Sequence, residues 1–363
     1  MARSKLSLIN YILRIFSEIK GVTEAALRGA IVSLQYMVGI HDGKRMYIDA
    51  LIVTLFKVFF KHYLPNMRGL FKVFKTCVNA LTGVRGKNRI EPVVEKGFKG
   101  YWVKEKHDTR DPELVVLFFH GGGYVFGYPL MWLPAYHKWI EKIRQVTGKR
   151  TAVLCPEYSL APEKKFPTQL NQALAAYRYL LVDKGISARH IVPAGDSAGG
   201  NLALSLCLKL NEDINNGTPG SLPMPGGLIT VSPWCSMALE GPSLKHNDRY
   251  DYITYSKISE CRDLILESKA LYTDPRVSPL HAKSTRGLPP NFVIAGELEG
   301  LYDDIQALVE KFKRDGVEVE FWHEPRIHDF PLMEDFPPWK FTTINRGAEK
   351  VAQFINRNVL GQE

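Results

Sequence analysis

No two cysteines in this chain form a Cys-x-x-Cys pair. The five, Cys77, Cys155, Cys207, Cys235 and Cys261, are odd in number and far apart, which excludes a disulfide-stapled scaffold and argues against a structural zinc. A long apolar run is also missing. The best stretch, Met46 to Leu64, carries Asp49, Lys57 and Lys61, whereas a membrane-spanning helix wants roughly 20 mostly apolar residues. Near the start, Arg14, Glu18 and Lys20 break up what would be the apolar core of a secretory leader. The expected location is therefore intracellular, either cytoplasmic or peripheral to a membrane, and not secreted. Internal repeats are absent. Acidic residues are scarce in one place only: residues 1–90 hold 15 Lys/Arg against 4 Asp/Glu, a net of +11, while residues 91–363 hold 32 against 34, a net of −2. The overall charge of +9 thus belongs to the N-terminal quarter. What remains is ordinary globular composition, 363 residues with 45% hydrophobic and 23% charged, enough for one large α/β domain or two smaller ones.

The basic quarter reads as helical. From Ile48 to Tyr63, the apolar residues Ile52, Leu55, Phe56, Phe59, Phe60 and Tyr63 recur at helical spacing, Lys57 and Lys61 fall on another face, and Pro65 lies just beyond the end. A second stretch mixes Leu70, Phe71, Val73 and Phe74 with Arg68, Lys72 and Lys75, and Leu6 to Ile19 is a weaker candidate. Residues 1–90 are accordingly expected to form a basic, amphipathic helical cap packed on the main domain. Lys/Arg beside Phe and Leu is also the composition of a membrane-surface helix, so a peripheral membrane contact is a second reading of the same residues. Nucleic acid is not an expected partner, because no recognised binding motif accompanies the charge.

Beyond about residue 91, short apolar runs alternate with helical stretches. Leu114 to Phe119, Ala152 to Leu154, Ile191 to Ala194, Leu228 to Val231, Phe292 to Ala295 and Val317 to Trp322 suit buried strands; Gln169 to Leu181, Ala198 to Leu210 and Asp303 to Arg314 suit helices. Such alternation predicts an α/β fold, a mostly parallel central sheet with helices on both faces. The segment Leu239 to Pro290 is long enough to hold an inserted helical piece.

Two local patterns carry chemistry. Gly195-Asp196-Ser197-Ala198-Gly199-Gly200 follows a strand and opens a helix. On so sharp a turn the serine backbone is strained, the glycines remove Cβ atoms that would clash, and the hydroxyl stands exposed. The following helix aims free N–H groups at developing negative charge. His120-Gly121-Gly122-Gly123 ends another strand, and successive glycines let backbone N–H groups crowd one point, as an oxyanion requires. A dinucleotide loop from Gly121, Gly123 and Gly127, with Glu157 as ribose acid, fits poorly: Tyr124, Val125 and Phe126 are bulky where phosphates would approach, and Pro129 interrupts the helix.

These patterns, with Tyr158-Ser159-Leu160-Ala161-Pro162-Glu163, Phe166-Pro167, Asp274-Pro275-x-x-Ser278-Pro279-Leu280 and His328-Asp329-Phe330, resemble the hormone-sensitive-lipase-like branch of α/β-hydrolases. The resemblance spans about residues 100–355. Members include carboxylesterases, arylacetamide deacetylases and fungal steryl acetyl hydrolases, and they commonly place N-terminal helices over the active site. It implies an α/β-hydrolase catalytic domain over 91–363, with a cap-contributing insertion around 239–290. It also implies Ser197 as nucleophile and an oxyanion hole from the backbone N–H groups of Gly122, Gly123 and Ala198. His120 is read as bracing its loop. The base is read as His328, which follows the last expected strand, with His323 as its nearest rival. At the acid the sequence departs from the family's Asp-x-Leu-x-Asp pattern and reads Glu299-Gly300-Leu301-Tyr302-Asp303. Matching Leu301 and Asp303 to that pattern puts Glu299 in the catalytic slot, which a Glu can fill because the role needs a buried carboxylate at hydrogen-bond reach rather than one chain length; Asp303 is the alternative.

The expected chemistry is serine ester hydrolysis through an acyl-enzyme, removing a short, acetyl-like group from a lipophilic alcohol, with no metal and no organic cofactor. Relatives in specialised metabolism suggest a second reaction class on the same site: lactone opening, elimination or cyclisation. A non-catalytic ligand receptor is a third, disfavoured because receptors of this family lose the catalytic histidine and His328 is present.

Overall fold

The computed structural model describes residues 21, 23–35, 47–63, 69, 76–77, 84–333 and 342–361. The helices expected over residues 6–19 and 70–75 lie outside the described residues. Two N-terminal helices are described, α1 over residues 23–35 and α2 over Tyr47–Tyr63. Among the described residues no helix is long and apolar enough to cross a membrane.

Eight strands form one sheet: β1 (Asn88–Glu95), β2 (Phe98–Glu105), β3 (Leu114–Phe119), β4 (Thr151–Pro156), β5 (Ile191–Asp196), β6 (Leu228–Val231), β7 (Asn291–Gly296) and β8 (Val319–Glu324), in the spatial order β1-β2-β4-β3-β5-β6-β7-β8. The antiparallel pairs are β1 with β2 and β2 with β4; all the rest are parallel. Every residue of β3, β4, β5, β6 and β7 is buried, which is why these strands read as unbroken apolar runs instead of alternating ones. The edge strand β8 is only half buried.

Helices α3 (Leu133–Thr147), α4 (Thr168–Val182), α5 (Ala198–Asn215), α6 (Ser243–His246), α7 (Tyr255–Ile265), α8 (Tyr302–Asp315) and α9 (Thr342–Phe354) follow in chain order, with short 3-10 turns and a π-helical turn between and after them. From β3 to β4 the chain steps one way across the sheet, and from β4 to β5 it steps back past β3. Right-handed crossovers then set α3 and α4 on opposite faces, and α5 shares the face of α4. The packing agrees: α3 lies against α9, and α4 against α5. The reversal opens a crevice at the carboxyl ends of β3 and β5, the usual place for a ligand in a sheet of this kind.

Two expectations change in detail. β1 begins at Asn88, so the sheet starts ahead of the expected division at residue 90. On α2 the buried residues begin with Asp49, Ala50 and Val53, while Leu55 is 38% exposed, so the face turned to the domain is rotated from the one that spacing alone selected. The side chains of Phe59, Phe60 and Tyr63 lie outside the described residues.

Candidate active site

β5 delivers Ser197 onto the turn into α5 with φ 51° and ψ −118°, a left-handed strained geometry for a residue with a side chain. Its amide donates to the Val231 carbonyl at 2.9 Å, and its own carbonyl accepts from Asn201 and Trp234 at 3.0 Å. The neighbouring glycines are sterically required. A Cβ on Gly195 would lie 2.4 Å from the Gly199 backbone, and one on Gly199 would lie 2.0 Å from the Phe119 carbonyl oxygen.

The loop after β3 closes over this turn. Gly122 and Gly123 take φ values of 109° and 59°, and the Gly121 amide donates to Asp196 Oδ1 at 2.9 Å. Among the described residues the Gly122 and Gly123 amides find no acceptor, and the Ala198 amide belongs to the first turn of α5, where N–H groups have no intrahelical partner. His120 is buried and stacked on Tyr158, with ring centroids 4.3 Å apart. The Tyr158 hydroxyl donates to the His120 carbonyl at 2.5 Å. Burial pushes the His120 imidazole down to about 4, so it stays neutral and braces the loop.

His328 sits on the loop beyond β8, 1% exposed, with Nδ1 3.1 Å from Glu299 Oε2. Glu299 lies on the loop after β7, is fully buried, and its carbonyl accepts from Asn247 Nδ2 at 3.0 Å. Asp303 is turned elsewhere: its Oδ2 accepts from the Ser243 amide at 2.6 Å and ties α6 to the start of α8. His323, at the end of β8, points to the surface, with Nδ1 2.7 Å from Glu297 Oε1. Of the alternatives open in the sequence, the structure brings Glu299 and His328 together and leaves Asp303 and His323 apart from them.

Two further acids join this cluster: Asp251, which belongs to none of the sequence patterns, and Asp329, which stands in the His328-Asp329-Phe330 motif without an assigned role. Asp251 accepts from the Gly300 amide at 2.9 Å and, through Oδ1, from the His328 amide at 3.3 Å, so it links the two loops. Asp329, with φ 58°, donates its amide to Ser232 Oγ at 3.0 Å and sets Oδ2 3.4 Å from His328 Nε2. Burial pushes Asp251 up to about 6 and Asp329 well above the usual carboxylate range. For His328, burial opposes the charge, but Asp329, Glu299 and Asp251 outweigh it and raise the imidazole to about 10. Asp251 has no motif signal because a loop far away in sequence carries it, whereas Asp329 follows His328 directly and its sequence pattern does not show that its carboxylate turns back to Nε2.

Ser197, His328, Gly122 and Gly123 line one cavity of about 60 Å³, whose other walls include Phe56 of α2 and Ile258 and Cys261 of α7. The insertion therefore contributes a wall, as does α2. A buried serine on a strained turn, an imidazole held by a carboxylate at Nδ1, and glycine amides without acceptors beside the same cavity are an arrangement that suits acyl transfer.

A model of the α/β-hydrolase fold family matches residues 116–332. The chain belongs to the α/β-hydrolase family. The match covers more than half of it, and the relatives lie in the hormone-sensitive-lipase-like branch. An acetyl-hydrolase of Streptomyces hygroscopicus is 31% identical over 238 residues, covering 62% of this chain and 70% of that protein. An esterase of Acinetobacter venetianus is 30% identical over 234 residues, covering 64% and 71%. The crystal structure of a hormone-sensitive lipase from a metagenome library superposes with a TM-score of 0.69 at 25% identity, covering 86% of this chain and 98% of that one. This hydrolase is thus an enzyme of the serine esterase type, acting on carboxylic esters.

Proposed function

We propose that this hydrolase removes a short, acetyl-type acyl group from a lipophilic alcohol through an acyl-enzyme on Ser197. The observation that carries the reading is the shared cavity, lined by Ser197 and by an imidazole whose Nδ1 is held by buried Glu299. His328 takes the Ser197 proton as the hydroxyl attacks the ester carbonyl, and Glu299 holds the ring in the working tautomer and stabilises the imidazolium. The oxyanion is received by the amides of Gly122, Gly123 and Ala198. His328 then protonates the departing alcohol and next activates the water that releases the acid.

A narrow cavity with apolar walls supports a small acyl group and a lipophilic alcohol, and likeness to an acetyl-hydrolase points the same way. We read residues 1–90 as a cap on the catalytic domain over 91–363, with the insertion around 239–290 completing it. The five unpaired cysteines fit an intracellular, reducing compartment. α1 exposes Leu27, Ile31 and Leu34 and, though itself neutral, belongs to residues 1–90 with their net charge of +11, which supports a peripheral contact with an anionic membrane. Labelling with a fluorophosphonate, with Ser197→Ala as control, together with hydrolysis of p-nitrophenyl esters of increasing chain length, tests the assignment. Ser197-dependent labelling and fastest turnover of the acetyl ester are expected. No labelling and no turnover would remove the esterase reading.

A further inference from the structure

Helix α2 meets the histidine loop through a buried ion pair joining residues 277 positions apart. Asp49, in the first turn of α2 and fully buried, accepts from Arg326 Nε at 2.7 Å and from Arg326 Nη2 at 2.9 Å. Arg326 precedes His328 by two residues. Its guanidinium lies 5.5 Å from the ring centroid of Phe330, and its carbonyl accepts from the amide of Leu298, the neighbour of Glu299, at 3.1 Å. Among the described residues no other carboxylate lies within ion-pair distance of Arg326. Two helical turns beyond Asp49, on the same face, Phe56 packs on Tyr252 with centroids 4.9 Å apart. Tyr252 sets its ring edge-on to His328 at 5.6 Å and donates its hydroxyl to the His328 carbonyl at 3.2 Å. The next residue, Lys57, donates to the Asp248 carbonyl in the insertion.

A guanidinium held by both carboxylate oxygens is fixed in orientation as well as in distance. A buried pair of this kind adds little net stability compared with apolar side chains, yet removing one partner strands a charge, so it selects one arrangement of the elements it joins. The arrangement selected here has α2 seated on the loop that carries His328. Displacing a catalytic group by about 1 Å costs on the order of 100-fold in rate.

We propose that Asp49 and Arg326 are positioning residues for His328, so that efficient turnover requires α2 seated on the histidine loop, a role that presupposes the hydrolase reading above. In the full-length protein, Asp49→Asn, verified as folded by circular dichroism, is expected to lose about 100-fold in kcat on p-nitrophenyl acetate with KM nearly unchanged. Asp49→Glu, which keeps the carboxylate, should recover most of the rate, whereas Arg326→Lys, which keeps the charge but not the fork, should not. A folded Asp49→Asn protein with wild-type kcat would overturn the proposal. Should that variant fail to fold, Asp49→Asn with Arg326→Gln strands no charge and carries the same test: reduced kcat supports the role and wild-type kcat overturns it. If the wild type itself neither labels nor hydrolyses, the hydrolase reading fails, and positioning is then read from amide hydrogen exchange over residues 324–333. Faster exchange there in Asp49→Asn supports the clamp, and unchanged exchange overturns it.

Discussion

At Glu299 and Asp303, four residues apart and both acidic, the environment separates two side chains that a motif treats as rivals. Glu299 is fully buried against His328 Nδ1, while Asp303 caps the link between α6 and α8. Glu299→Gln keeps the shape but replaces the acceptor that fixes the working tautomer, so kcat should fall about 10³–10⁴-fold in steady-state assays. Asp303→Asn should leave kcat within a few-fold of wild type and lower stability by about 1 kcal/mol in urea unfolding, since its contact is structural. Asp329 makes a pH prediction. The protonated imidazolium cannot accept the Ser197 proton, so activity rises as pH climbs through the His328 pKa, which burial lowers and Asp329, Glu299 and Asp251 raise to about 10. Burial favours neutral Asp329 and the imidazolium favours its ionised form; Asp329→Asn removes that ionised form, which favours the imidazolium, so the acid limb of kcat/KM should move to lower pH. An unmoved limb would show that Asp329 does not share the proton equilibrium of His328.

On the scale of elements, the strand-to-helix turn at Ser197 was readable from sequence because a run of apolar residues, a Gly-x-Ser-x-Gly-Gly string and a helical pattern all agree locally. The structure adds the reason the glycines cannot be exchanged. Gly199→Ala would drive a Cβ onto a backbone oxygen 2.0 Å away and should destabilise by about 3 kcal/mol or more. Gly200→Ala, whose nearest neighbours are 3.1 Å away, should cost less because the gain in helix propensity offsets the tighter fit; chemical denaturation of both variants checks the contrast. The β1–β2 hairpin was not among the expected strands. β1 is an edge strand of mixed burial that contains Pro92, so it lacks the unbroken apolar run that marks the interior strands, and its clearest signal was the short Lys96-Gly97 turn, with Gly97 at φ 99°. The face of α2 is shifted for a related reason: Ile52 and Phe56 pack on the domain as their spacing implies, but apolar spacing gives no sign of an acid buried against a distant arginine, and Asp49 lies inward against Arg326 while Leu55 is exposed.

For the whole molecule, the proposed division assigns the serine chemistry to the near-neutral residues 91–363 and a membrane contact to the basic N-terminal quarter, where Leu27, Ile31 and Leu34 are exposed. Vesicles containing phosphatidylserine should co-sediment the protein in a salt-sensitive manner, and Leu27→Ser/Ile31→Ser/Leu34→Ser should weaken binding with little change in hydrolysis of a soluble ester; equal binding to neutral vesicles would exclude the electrostatic part. Local residue order is enough to read the α/β class, the buried strands, the serine turn and the glycine loop, because each depends on neighbours within a few residues. Which acid meets His328, that Asp251 and Asp329 flank the same ring, and that α2 reaches the histidine loop through Asp49 emerge from the folded chain alone. Those outcomes depend on how loops fold back, pack and desolvate charge, and no local pattern encodes that.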